Sequence, residues 1–442
     1  TVFGSVRYDG TNLFGVNKKY KYLPIWAASA SWLVSKESFM ENLDFISELR
    51  LRASYGLQGN IDRNTSPFFI GQYENVTILP GNQETTIGVV NPPNDKLRWE
   101  KTTNVNFGMD LGLFRNRINL TVDVYNRKGT DMISMRETPL ETGFGYTMVN
   151  WGEITNKGFE IALTTRNINN KNFKWSTTIN FAHNKSNVLQ ENVSENSTLP
   201  SRVGLPVNAV FALKTAGFDE AGNPMFWKGN EKISAKDFFK LYDLFGDFFP
   251  GEQAESNLTN AEMRSLFTYI GDRDPKFTGG IINTFKIHNF DLNISAAFNY
   301  KQTIMSTPPY RGMEVDAGRN YTQAILQAGN NMPGITSPIM GDDDSWMVNK
   351  WFAGNRANTY SLLDIWAKEV SYLRITSIRL GYNLPSKFTD TIGIKGLKLS
   401  VEGRNLFVIS NGYKGYFDPE TYGNIYAQPI AKSVTMGLNV SF

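Results

Sequence analysis

Phe290-Asp291-Leu292-Asn293-Ile294-Ser295-Ala296-Ala297-Phe298-Asn299-Tyr300 decides the fold class. Phe290, Leu292, Ile294, Ala296, Phe298 and Tyr300 form one set, and Asp291, Asn293, Ser295, Ala297 and Asn299 form the other. Successive side chains of a strand point to opposite faces, so this period of two predicts a strand with an apolar and a polar face. Val105, Phe107, Met109, Leu111 and Leu113 repeat the pattern, as do Ile118, Leu120, Val122 and Val124. So do Trp175, Thr177, Ile179 and Phe181, and Leu49, Leu51, Ala53, Tyr55 and Leu57. Most of these segments reach the length of about 9–11 residues that a strand needs to cross a bilayer. Strands of a soluble sandwich also alternate, so periodicity alone leaves both architectures open.

Spacing separates them. Twelve strands are predicted near 2–8, 23–34, 48–57, 99–113, 118–129, 149–165, 174–186, 276–287, 290–302, 369–384, 396–408 and 431–442. The connections alternate between a short set (35–47, 114–117, 166–173, 288–289, 385–395) and a generally longer set (9–22, 58–98, 130–148, 187–275, 303–368, 409–430). Outer-membrane barrels have short periplasmic turns and long extracellular loops. A sandwich has no reason to place its long excursions at one end. The expected fold is therefore all-β, an antiparallel transmembrane barrel with extracellular long loops and a periplasmic C-terminus. Within the long connections, helical spacing of Asp237, Phe238, Phe239, Leu241 and Leu244 predicts a helix in 234–245. Thr259 with Glu262 forms a capping-box pattern, with Gly271 following, and Ser361 with Asp364 predicts a short capped helix.

Composition agrees. Aromatic residues make up 13% of the 442, a bias that suits strands and interfacial belts. A net charge of +3 gives nucleic-acid binding no electrostatic support. The chain has no cysteine, which excludes disulfides and thiolate metal sites. No run approaches the 18 or so consecutive apolar residues of a transmembrane helix. The sequence opens on Thr1 and enters a strand-like run without a start Met or signal peptide, so upstream sequence is expected. His183 and His288 are the only histidines, and no metalloprotease, nucleophile-elbow or phosphate-loop motif is present. No catalytic residue, cofactor or metal is expected, and the run Asp342-Asp343-Asp344 reads as a solvated acidic loop rather than a Ca²⁺ site.

The segments carry more than periodicity. In order they include 51–60 (LRASYGLQGN), 97–110 (LRWEKTTNVNFGMD), 150–160 (NWGEITNKGFE), 274–280 (DPKFTGG), 380–385 (LGYNLP), 403–407 (GRNLF) and 413–420 (YKGYFDPE). This ordered set resembles the SusC/RagA family of TonB-dependent outer-membrane transporters of Bacteroidetes, along nearly the whole chain. The resemblance implies a barrel of about 22 strands around a plug. Residues 1–442 would form the C-terminal half, with the plug and first strands outside this chain. It further implies a SusD-like surface lipoprotein as lid, the TonB complex acting through the N-terminal part, and import of nutrient oligomers. Oligosaccharides are the expected cargo and peptides the alternative. A self-contained 12-stranded barrel, acting as a secretion pore or barrel enzyme, and a soluble β-rich binding module are the competing readings.

Within that frame Arg50, Arg52, Asp110, Asp123, Glu160, Arg379, Glu402 and Arg404 should face the lumen and pair with one another, because charges facing lipid at mid-depth are costly. Gly108, Gly152 and Gly158 read as barrel curvature. Trp26, Trp32, Trp99, Trp151, Trp175 and Tyr382 are candidates for an aromatic girdle. Trp227, Tyr310, Arg311, Trp346 and Trp351 are candidate ligand contacts, offering aromatic faces and hydrogen-bonding groups in loops. Met436, Leu438, Val440 and terminal Phe442 resemble an outer-membrane assembly signal, read by edge addition of the last strand.

Overall fold

A computed structural model describes residues 1–13, 18–79, 81–194, 197, 199–220, 224–234, 237–238, 259–306, 362–391, 393–411, 418–421, 427–428 and 430–442. Along the chain the strands are β1 (Val2–Gly10), β2 (Tyr22–Leu33), β3 (Ile46–Asn60), β4 (Ile70–Leu79), β5 (Asn82–Asn91), β6 (Glu100–Leu113), β7 (Ile118–Glu137), β8 (Tyr146–Asn169) and β9 (Phe173–Gln190). Then come β10 (Ala209–Leu213), β11 (Thr215–Phe218), β12 (Pro224–Lys228), β13 (Glu231–Ser234), β14 (Phe267–Asp272), β15 (Phe277–Ile287), β16 (Phe290–Met305), β17 (Ala367–Asn383), β18 (Gly396–Asn411) and β19 (Ser433–Ser441). Twelve belong to one large sheet. They are the twelve strands predicted from alternation.

The structure divides into two compact units. The first comprises Thr1–Glu195, Ser201–Val207 and Gly279–His288, and its strands follow the order β1-β2-β3-β6-β7-β8-β9-β15. Its short turns use left-handed backbone. Phe114, Arg115 and Asn116 have φ of 54°, 59° and 58°, and His288 has φ 52°. Histidine is among the side chains enriched at positive φ, and a turn role accounts for His288. The second unit comprises Asn196–Pro200, Asn208–Thr278 and Asn289–Phe442, with β16-β17-β18-β19 in order. It also holds the two-stranded sheet β10-β14 and the three-stranded sheet β11-β12-β13. Ile304 and Val370 form a small buried core in this unit, with Tyr372 packed against it, and Ala212, Leu213 and Leu363 are also buried there.

Register makes the two faces continuous across strands. In the first unit Leu51, Met109, Val122, Ile161 and Phe181 are successive Cα partners, and so are Leu49, Leu111, Leu120, Leu163 and Ile179. The rows between them run Arg52, Gly108, Asp123, Glu160, Ala182 and Arg50, Asp110, Thr121, Ala162, Asn180. In the second unit Leu292, Leu380, Val401 and Met436 form an apolar row beside Asn293, Arg379, Glu402 and Thr435. The apolar face is the exposed one: Phe107 is 62% exposed, Phe407 60% and Met436 79%. Contiguous rows of large exposed hydrophobics mark a surface that meets a membrane or a partner, and strand length selects the membrane. No helix among the described residues is long and apolar enough to cross one.

The structure corrects several expectations. β7 and β8 have 20 and 24 residues: β7 runs on to Glu137, well past its predicted end at 129, and β8 begins at Tyr146, shortly before its predicted start at 149. The 130–148 connection therefore shrinks to 138–145. Register shifts on either side of Met132 break the two-residue alternation, which hid the extension. The 58–98 connection holds the hairpin β4-β5, and 187–275 holds five short strands that alternation did not reveal. Asp364 begins a 3-10 turn, Asp364–Trp366, whose N-cap Leu363 makes no side-chain cap. The Asp364 carboxylate instead accepts from the Thr215 N–H and hydroxyl at 3.1 and 2.7 Å. Ser361 lies outside the described residues. Trp99 is buried, its indole N–H donating to the Lys21 carbonyl at 3.2 Å, so it is no girdle residue.

Candidate functional site

The polar face is built around Arg52. Its guanidinium donates to Asp110 at 3.0 and 3.2 Å and to Asp123 at 3.1 Å. These carboxylates sit on β6 and β7, so the side chain must lie across β6. Gly108, the register partner of both Arg52 and Asp123, makes this possible. A Cβ there would sit 2.6 Å from Asp123 Oδ1 and 2.7 Å from the Arg52 Cζ. Gly108 is thus room for an ion pair, a role more specific than curvature. Thr121 donates to Asp110 at 3.1 Å and Asn106 to Asp123 at 2.9 Å, completing the carboxylates' partners. Of the predicted charged set, Arg50 pairs with Glu48 at 3.1 Å and Arg404 with Glu402 at 2.7 Å, while Arg379 stands opposite Glu402 in the register. Glu160 stands opposite Asp123 in the register and, among the described residues, makes no ion pair with the network.

Toward the long-connection end, bulges re-aim charged side chains, as bulges commonly do near functional sites. Register shifts around Met132 leave Asp131 at φ 58°. Its carboxylate accepts from Arg98 at 3.0 and 2.5 Å and from Lys101 at 2.8 Å. The Asn150 amide donates to the carbonyls of Arg98 and Asp131, both at 2.7 Å, and Glu100 accepts from the Ile133 N–H at 2.9 Å. This cluster fastens the 58–98 connection to the wall strands. In the second unit buried Arg374 donates to Glu420 at 2.6 Å and to Asp418. It ties the 409–430 connection down in the same way. Sequence reading missed both clusters, although Asp418 and Glu420 lie within the quoted 413–420 stretch.

The loop-borne elements are small folded pieces. Trp227 lies on β12, is 41% exposed and carries the Lys232 ammonium 5.4 Å from its ring centroid. Its neighbour Phe226 is buried and stacks on Phe238 at 4.1 Å, so the outward direction of Trp227 follows from the inward packing of Phe226. Helical backbone is present at Asp237 and Phe238, and the rest of the predicted 239–245 segment lies outside the described residues. The capping box forms as predicted on helix Asn260–Leu266. The Thr259 N–H and hydroxyl donate to Glu262 and hold its carboxyl below the ordinary range. Burial pushes the Asp272 carboxyl up, against hydrogen bonds from the Asp274 and Arg273 backbone. Tyr310, Arg311, Trp346 and Trp351, with Asp342–Asp344, lie outside the described residues.

Met436 and Leu438 of β19, and Phe442 just beyond its end, are strongly exposed, and Val440 is half-buried. Leu438 and Met436 pair with Leu399 and Val401 of β18, which extends the apolar face to the last strand.

Known proteins share this architecture. The family model described as TonB dependent receptor-like, beta-barrel, matches residues 1–406. TonB-dependent receptor P3 of Formosa agariphila is 28% identical over 99% of this chain and 43% of its own length. TonB-dependent receptor SusC of Bacteroides thetaiotaomicron is 23% identical over 99% of this chain and 42% of its own. The solved structure of the RagAB peptide transporter superposes with a TM-score of 0.75 at 21% identity, covering 100% of this chain and 46% of that one, a likeness of fold. The chain therefore spans less than half the length of these relatives. A two-faced sheet of twelve strands and a family model matched from its first strand into β18 lead to one conclusion: this chain belongs to the TonB-dependent receptor-like β-barrel family of the outer membrane, with SusC-like relatives.

Proposed function

We propose that residues 1–442 form the C-terminal part of the barrel wall of an outer-membrane active importer of nutrient oligomers. The carrying observation is the two-faced sheet. Its exposed apolar rows suit lipid, and its opposite face carries the Arg52–Asp110–Asp123 network, a wall for a water-filled, plugged lumen. The short turns lie in the periplasm and the long connections outside the cell. The N-terminal half of the barrel, a plug, TonB and a SusD-like lipoprotein lid complete the importer, and the protein catalyses no covalent reaction. Coverage of less than half of each relative supports this reading over a self-contained 12-stranded barrel.

Oligosaccharides are the proposed cargo. The half-exposed Trp227 ring beside Lys232 offers an apolar face and a hydrogen-bond donor, the pair that a sugar ring and its hydroxyls require. Tyr310, Arg311, Trp346 and Trp351 are proposed further contacts. Peptides are the second reading, favoured by the fold shared with a structure described as a peptide transporter. The test compares uptake of labelled oligosaccharide and peptide mixtures by cells with and without the gene. Loss of oligosaccharide uptake on deletion supports the first reading, and loss of peptide uptake the second. Unchanged uptake of both refutes import.

A further inference from the structure

We propose that the outward face of β7, β8 and β9 carries a binding site for the phosphorylated headgroup of an outer-leaflet glycolipid, held chiefly by Lys157 and Lys185. The register supplies the argument. Ala53, Phe107, Val124, Phe159 and His183 form the last fully hydrophobic or aromatic row before the long-connection end. The next row on the same face is Tyr55, Val105, Asn126, Lys157 and Lys185. The one beyond is Trp26, Leu57, Thr103, Lys128, Thr155 and Asn187. Trp26 and Tyr55 meet edge-on at 5.0 Å within these rows, and aromatic rings gather at the headgroup level of barrels. The lysines therefore sit where lipid phosphates lie.

The pairing itself calls for an anion. Lys157 and Lys185 are direct cross-strand partners and both are exposed. Like charges directly opposite one another destabilise a strand pair. Among the described residues no carboxylate pairs with either. Lys128, diagonal to Lys157 at roughly 7–8 Å between Cα atoms, is already matched by Glu153 at 2.8 Å. Two unmatched ammonium groups thus flank one position at the rim of an apolar surface. A phosphate ester with acyl chains satisfies both requirements, its charge between the lysines and its chains along Val124, Phe159 and Phe181. Free phosphate would meet only the first.

This site rests on the outer-membrane orientation proposed above, and one experiment separates the two. The full-length protein is purified in mild detergent, and native mass spectrometry measures retention of bisphosphorylated lipid A, of its dephosphorylated form, and of the phosphorylated form in competition with inorganic phosphate. The expected result is retention of the phosphorylated lipid, lowered about 30-fold in Lys157→Gln/Lys185→Gln, on the scale of two lysines near an anionic surface. Lys185→Gln alone should lower it about fivefold, and Lys128→Gln hardly at all. Equal retention by wild type and the double variant overturns the site, as does equal retention of the dephosphorylated lipid. Displacement by millimolar inorganic phosphate overturns the lipid as ligand. Unchanged heat-modifiable migration of each variant shows that folding is intact, and Lys185→Gln serves if the double variant fails it. Membrane fractionation that finds the protein outside the outer membrane overturns the orientation instead.

Discussion

Replacing Arg374 with Met should release the 409–430 connection from the wall. The Arg374 side chain is 4% exposed, Asp418 8% and Glu420 30%. Removing one member of a buried ion pair costs about 3–5 kcal/mol, because the remaining charge is left in a poorly solvated place. Asp418 is the group so stranded. Half-open Glu420 regains water and adds little. The strain is relieved locally if the segment carrying Asp418 swings out. At about 1.4 kcal/mol per factor of ten, the open population rises roughly 100-fold to several thousand-fold. Limited proteolysis reads this directly, since cleavage of a transiently open segment tracks its open population when closing is fast. Cleavage within 409–430 should accelerate by that factor while the remaining barrel resists. Arg374→Met/Asp418→Leu removes both charges and should recover most of the resistance. Wild-type cleavage rates in Arg374→Met would refute the latch, and equal cleavage in both variants would assign the effect to lost packing.

Other outcomes follow from the same geometry. Val122→Lys places a charge on the apolar face and should cost about 2–4 kcal/mol, lowering the heat-modifiable folded fraction; Thr121→Lys, one residue earlier, puts that charge beside Asp110 and should be tolerated. Gln302 is fully buried, and among the described residues neither of its amide atoms has a hydrogen-bond partner. Gln302→Met should therefore raise stability by about 1–3 kcal/mol in a denaturation series. The Glu262 carboxyl is held below its unfolded value by Thr259, so its contribution to helix Asn260–Leu266 is complete above the unfolded pKa and disappears as pH falls through the lower, folded one. Hydrogen exchange of 260–266 should speed up in that acidic window, and Glu262→Ala should remove the pH dependence.

Much of this was legible in the sequence because its signal is local. The two-residue period of Phe290 to Tyr300 needs only the geometry of an extended chain to predict two faces, and the alternation of connection lengths needs only counting. Thr259 and Glu262 likewise form their capping box within one turn. The charged set on the polar face could be named, since lipid tolerates no such row. What could not be read is everything that depends on how far one strand slides along the next. Only register places Arg52, Gly108 and Asp123 in line, and so turns a glycine into the gap through which an arginine reaches a second strand. Only a bulge brings Asp131 to Arg98 and Lys101, and only the return of a distant connection brings Asp418 to Arg374. The same holds for Lys157 and Lys185, unremarkable in sequence and opposed in the sheet. Side-chain alternation is a property of one strand, whereas pairing is chosen between strands by the whole set of contacts, so the faces were written in the sequence and the partners were decided by the fold.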